Sequence, residues 1–241
     1  MLKKRYRSLE DERIQFLNTR LIEEERFGCS TYIFTDASVF SNIFIKPALI
    51  QHSIKKFELQ KLDLPSSVAL TEEGYFDPFQ SAGLVVGGEW YAHVISYDVK
   101  NFSLYKAMKQ VYIDGGGWED TPFFQQGVTR IKKGEKYWNG CLTLDRLYAR
   151  CLKVDKLWSS IANNGVVPAD PAITVNIGPN GEIIKNTEGR HRMIIANLLN
   201  IDIPVQVVVR HSDWQSVRDL LKNGEYIPEH LHDHMDLQDL N

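Results

Sequence analysis

Near the start of the chain, Ile14, Leu17 and Leu21 recur at helical spacing behind Ser8 and Asp11, which resemble a capping box. This pattern predicts a helix that docks one apolar stripe and stops at Phe27-Gly28. From Thr31 to Val86 the signature changes. β-Branched and aromatic residues gather in short runs, Thr31-Tyr32-Ile33-Phe34, Val39-Phe40, Ser67 to Leu70 and Gly83 to Val86, with Pro47, Pro65 and Pro78 between them. Strands on a β-rich or mixed platform are expected there. Phe102, Tyr105, Met108, Val111 and Tyr112 then return to helical spacing and predict one amphipathic helix whose aromatic stripe is core.

Leu142 to Ile161 is the next helical region, with Leu144, Leu147, Tyr148, Cys151, Leu152, Leu157 and Ile161 apolar. It is expected to break into two helices around Lys153-Val154-Asp155 and to end at Asn163-Asn164-Gly165. Beyond Pro168 and Pro171, Ile173 to Ile177 alternates with period two. Gly178-Pro179-Asn180-Gly181 supplies a hairpin turn and Glu182 to Lys185 the partner strand. A short helix from Arg192 to Asn200 is apolar around most of its circumference, which predicts burial between layers. Ile203 to Val209 reads as a buried strand with Pro204 near its start, and Pro228 to Asn241 as a polar tail that frays.

Composition narrows the class. With 241 residues and 24% charged side chains, the chain can bury a full core. A formal net charge of -3 provides no global basic field, so nucleic acid is not a favoured partner and neither is an anionic membrane. Cys29, Cys141 and Cys151 form neither a CxxC pair nor an even disulfide framework, which fits reduced thiols. Lys3, Lys4, Arg5 and Arg7 are followed by Glu10, Asp11, Glu12 and Arg13 rather than the apolar run of a signal peptide. No window approaches the roughly 18 apolar residues of a membrane span. The expectation is a cytoplasmic protein.

The candidate chemistry lies in Gly189-Arg190-His191-Arg192, between the hairpin and the apolar helix. A helix N-terminus offers free backbone N–H groups and the positive end of its dipole, and a glycine before it admits an anion closely. Two arginines can grip phosphate oxygens in forked geometry, and His191 can donate or transfer a proton near neutral pH. The alternative from the same residues is structural, with Arg190 and Arg192 paired to Glu182 or Glu188 and His191 capping the helix. The loops Gly87-Gly88-Glu89-Trp90 and Gly115-Gly116-Gly117-Trp118-Glu119-Asp120-Thr121 carry neither a P-loop ending nor dinucleotide spacing and read as turns. Near the end, His230, His232 and His234 alternate with acidic residues in a pattern that suits a transition metal or a solvated tail.

Taken in order, Asp155 to Gly165, Ile173 to Ile177, Glu188 to Leu199 and Ile203 to Val209 resemble the ParB/sulfiredoxin-like fold. In that family a GxHR or GxRR element opens a helix and an [I/V]PV strand follows. The chain is expected to be α+β with three parts. The residue pattern makes residues 1–137 an N-terminal helix and β-rich platform, read as the acceptor-binding part, and residues 223–241 a polar tail, while the resemblance makes residues 138–222 a nucleotide-phosphate-binding domain. Sulfiredoxins place a catalytic cysteine where this chain has Arg190, and too few residues follow Arg210 for the DNA-binding region of partition proteins. Neither activity is therefore expected. The branch that fits resembles the free serine kinases: a nucleotide-dependent phosphotransferase using ATP or ADP with Mg²⁺ on a small hydroxyl-bearing acceptor. The resemblance implies phosphate binding by Gly189, Arg190, His191 and Arg192, with His191 also in the chemistry. It further implies a base upstream of Leu157, Asp145 first and Asp155 second, and Glu119 and Asp120 are candidates for the metal. A nucleotide-gated switch or nuclease-like protein, and a catalytically silent interaction module, are the competing classes.

Overall fold

One mixed sheet organises the computed structural model, which describes residues 24–26, 29–33, 43–78, 80–167, 173–187 and 189–240. Its strands are β1 (Glu24–Arg26), β2 (Cys29–Ile33), β3 (Ile43–Ile45), β4 (Ile50–Ile54), β5 (Leu84–Val86), β6 (Val94–Ser96), β7 (Ile173–Ile177), β8 (Ile183–Lys185) and β9 (Ile203–His211). The order is β1-β2-β5-β9-β7-β8-β4-β6. β3 pairs with Ile203 to Val205 of β9, while β5 pairs with Val209 to His211 at its other end. The β4·β8, β5·β9 and β7·β9 pairs are parallel and the others antiparallel. Strands from before and after residue 138 therefore interleave, and the long strand β9 is buried at nearly every position.

The two faces of the sheet bury different partners, because alternate residues of a strand point to opposite sides. Val85, Ile183, Val205 and Val207 face a large cluster shared with the helices. Leu84, Val86, Ile184 and Val209 face a smaller cluster with Leu59, Phe76 and Trp90 from the segment between β4 and β6. Trp90 is fully buried, its indole N–H donates to Val86 O at 2.9 Å, and Phe76 meets its ring edge-on at 5.1 Å. The helices of the larger cluster are α1 (Ser103–Tyr112), α2 (Pro122–Lys132), α3 (Leu144–Asn164) and α4 (Arg190–Leu199), and α5 (Ser212–Lys222) follows β9.

The hairpin formed by β7 and β8, the strand β9 and the helix α1 lie where periodicity places them. Other expectations need correction. The segment from Leu144 to Asn164 is one continuous helix. Val154, expected at a break, instead joins Leu147, Cys151 and Ile161 on the buried stripe, and core packing there outweighs the local polar signal. Ser67 to Leu70 forms no strand, and only Leu70 makes an isolated bridge, to Phe76. Glu24–Arg26, assigned by periodicity to the end of the first helix, is a strand hydrogen-bonded to β2. The remainder of that helix and Val39-Phe40 lie outside the described residues.

The expected fraying tail is a packed element. Met235–Leu240 forms a 3-10 turn in which Asp236 and Leu237 are buried. Asp236 is 1% exposed and accepts from Arg210 Nε at 2.8 Å, Arg210 Nη2 at 2.7 Å and Trp214 Nε1 at 2.9 Å. Arg218, itself buried, donates to Asp239 at 2.8 and 3.0 Å. His234 bridges to Gly181 O at 2.8 Å and takes the amide of Asp236 on Nδ1 at 3.1 Å. The polar composition that suggested a tail thus satisfies charges inside the fold.

Candidate anion site at the start of the fourth helix

The site is built from the loop between β8 and α4. Asn186 and Asn176 are both fully buried and tie this loop to the sheet. Asn186 donates to Phe76 O at 2.8 Å and its Oδ1 accepts from Asn176 Nδ2 at 3.3 Å. The Thr174 and Thr187 hydroxyls meet at 3.1 Å, and the Asn186 amide donates to Thr174 O at 3.0 Å. Paired amides of this kind fix a loop more firmly than apolar packing alone. Gly189 then caps α4 at φ +95°, in the left-handed region, and a Cβ there would meet Ile173 Cγ1 at 2.5 Å. Both conformation and space require glycine at this position.

α4 begins at Arg190, so Arg190, His191 and Arg192 all occupy its first turn, whose amides lack acceptors within the helix. Arg190 is exposed and lays its guanidinium over the Phe102 ring, 5.3 Å from the centroid. Among the described residues no carboxylate pairs with it. Glu182, one expected partner, instead accepts from Asn180 N at 2.9 Å and Asn180 Nδ2 at 2.8 Å. Glu188, the other, lies outside the described residues. His191 is partly buried, its ring centroid 5.9 Å from that of Trp138, and its Nε2 is buried without a hydrogen-bond partner among the described residues. Burial, with the charges of Arg150 and Arg190, pushes its pKa down to about 4. His191 is therefore a neutral imidazole at pH 7, whereas an ordinary histidine would titrate near neutrality.

Residues from β8 and the N-terminal half complete the surroundings. Tyr97 is 8% exposed and packs on Phe102 at 5.3 Å between ring centroids. Its hydroxyl has no hydrogen-bond partner among the described residues, and the Arg190 guanidinium stands beside it without completing a bond of acceptable geometry. Lys185 is 5% exposed, donates to Thr187 O, and holds its ammonium over the Tyr97 ring. The charge of Arg190 also reaches Lys56 and Tyr75. Sequence patterns missed Tyr97, Lys185 and Lys56 because they come from three strands or strand ends that only the pairing of β4 with β6 and β8 brings together.

The remaining expected site residues lie on α3, on the turn before α2 and near the C-terminus. Asp145 is exposed in the first turn of α3. It lies five residues before Arg150, the α3 residue whose charge His191 feels, and so roughly 140° round the helix from it. Asp155 accepts from Tyr112 Oη at 2.6 Å and Trp118 Nε1 at 2.8 Å, which commits its Oδ1 to holding α1 against α3. Glu119 accepts from Tyr148 Oη at 2.7 Å, and Asp120 from the Gly117 amide at 3.1 Å. The rings of Trp118 and Trp138, 5.8 Å apart, stand between that turn and His191. His232 contacts Ile227 O, and His234 the hairpin turn. Among the described residues no cluster of three His, Cys, Asp or Glu side chains could hold a metal, and no helix is long and apolar enough to cross a membrane. No protein-family model, curated protein or solved structure matches this chain.

Proposed function

We propose that the protein is a nucleotide-dependent phosphotransferase of the ParB/sulfiredoxin-like type, binding ATP or ADP phosphates at the start of α4 and acting on a small hydroxyl-bearing acceptor. The observation that carries this reading is the first turn of α4. A left-handed glycine precedes it, and among the described residues Arg190 has no counter-carboxylate and the buried His191 Nε2 no hydrogen-bond partner. A buried nitrogen without a partner is costly, and the exposed Arg190 beside it is free to take an anion. In this reading the α4 amides and Arg190 hold the phosphate, and neutral His191 donates one directed hydrogen bond while Arg192 adds charge from the same turn. Such chemistry depends on positioning and charge neutralisation more than on covalent machinery.

Mg²⁺ enters as the counter-ion of the nucleotide phosphates. Glu119 and Asp120 remain the proposed metal carboxylates, although Glu119 accepts from Tyr148 and Asp120 from the Gly117 amide, so a metal there would compete with those bonds. Asp145 is the proposed base, and Asp145→Asn should abolish transfer while leaving nucleotide binding intact. If that variant keeps full turnover, the base lies elsewhere.

The deciding experiment is thermal unfolding of wild type, Arg190→Ala and Arg192→Ala with ATP, ADP, CTP and GTP plus Mg²⁺. A ligand that binds only the native state raises the melting temperature, by about 2.7 kcal/mol of stability at one hundred times its Kd. A shift with ATP or ADP that is lost in Arg190→Ala supports the reading. A CTP-selective shift accompanied by dimerisation would favour a nucleotide-gated switch, and no shift with any nucleotide would leave a structural module.

A further inference from the structure

Tyr97 carries one of the few buried polar atoms left without a hydrogen bond among the described residues. Its ring is packed between Phe102 and the Lys185 ammonium, yet its hydroxyl is buried and makes no hydrogen bond among the described residues. Phenylalanine would fill the same space without the penalty of a desolvated, unbonded hydroxyl. The neighbour of that hydroxyl is Arg190, whose long side chain rests exposed on the Phe102 ring and has no carboxylate to hold it there among the described residues.

We propose that Tyr97 is a ligand-contacting residue of the α4 site, its hydroxyl donating to a terminal phosphoryl group that Arg190 and the α4 amides hold from the other side. This rests on the anion-binding reading above and adds to it the class of group bound. The α4 amides, the fork of Arg190, the His191 imidazole and one phenol supply more donors than the two oxygens of a carboxylate can use. They suit the three-oxygen face of a terminal phosphate. Burial pushes the Tyr97 phenol up to about 12, against the opposing pull of Arg190, so its proton stays in place at neutral pH. Arg190 rests on Phe102 beside the Tyr97 hydroxyl, so an anion gripped by Arg190 also comes within reach of the phenol.

Tyr97→Phe in the full chain tests this with two readouts of opposite sign. Melting of the unliganded variant should match or exceed wild type, because an unbonded polar atom has been removed. Its affinity by calorimetry, measured with inorganic phosphate, pyrophosphate, ADP and ATP, should fall about tenfold for every probe the wild type binds. Tight wild-type binding of pyrophosphate would identify free phosphates as the source, and binding of ADP or ATP alone would identify a nucleotide; either supports the proposal when Tyr97→Phe weakens it. Equal affinity in the variant overturns the role of Tyr97 while leaving the α4 site standing. A melting temperature lowered by several degrees without ligand overturns it too, by showing that the hydroxyl serves the fold. If wild type binds none of the four probes, both this proposal and the anion reading fall.

Discussion

At Gly189 a single hydrogen atom decides whether α4 can start where it does. Any side chain there carries both the strain of φ +95° and a contact at 2.5 Å with Ile173 Cγ1. Gly189→Ala should destabilise the protein by about 2 kcal/mol or more, read as a lower urea midpoint with an unchanged slope. His191 sets a pH dependence at the same place. Its folded pKa, about 4, lies below the 6.5 of an exposed histidine, so the unfolded chain takes up a proton first as pH falls. Stability is therefore full above pH 6.5 and declines between 6.5 and 4, by up to about 3 kcal/mol. His234, also lowered by burial, acts in the same direction. Urea titrations of wild type and His191→Gln across this range should show a shallower slope in the variant, and parallel slopes would contradict the assignment.

Among the elements, α3 shows how tertiary partners override local signals. Lys153-Val154-Asp155 reads as an interruption in the sequence, yet Val154 is a core residue and Asp155 is gripped by Tyr112 and Trp118 from the helices beside it. Asp155→Ala would leave both donors without that acceptor and should cost about 1–3 kcal/mol, measurable by thermal or urea unfolding. An unchanged midpoint would mean that water replaces the carboxylate without loss. The β7–β8 hairpin, α4 and β9 were legible beforehand, because each is a local pattern: period two, a glycine-rich turn, and an apolar run behind a proline. Tyr97 and Lys185 were not, since nothing near them in the chain marks their meeting. The first turn of α4 was readable as chemistry, whereas its surroundings depend on which strands pair.

Across the whole molecule, the acids of the C-terminal turn act as a clasp on buried arginines that periodicity could not foresee. Arg210 is 0% exposed and pairs with Asp236, 1% exposed, which also lies 3.5 Å from Arg218, so removing the carboxylate leaves two buried guanidinium groups short of a counter-charge. Asp236→Ala should destabilise by about 3–5 kcal/mol, and a loss below about 1 kcal/mol would show that the pair is dispensable. Sequence alone gave Asp236 the look of a solvated residue, because burial of an acid becomes legible only once its cation is placed.

The same clasp sets an order of events during synthesis. Translation delivers β9 and its Arg210 well before Asp236, which lies 26 residues further along, and Arg218 precedes Asp239 by 21. At roughly 5–20 residues per second, Arg210 precedes the carboxylate of Asp236 by a second or more. β9 joins β3, β5 and β7, so closing the sheet before the C-terminal turn emerges would bury Arg210 without that carboxylate. Sheet closure should therefore follow release of the last residues, and a chain truncated before Asp236 should be cleaved by protease faster than the full chain.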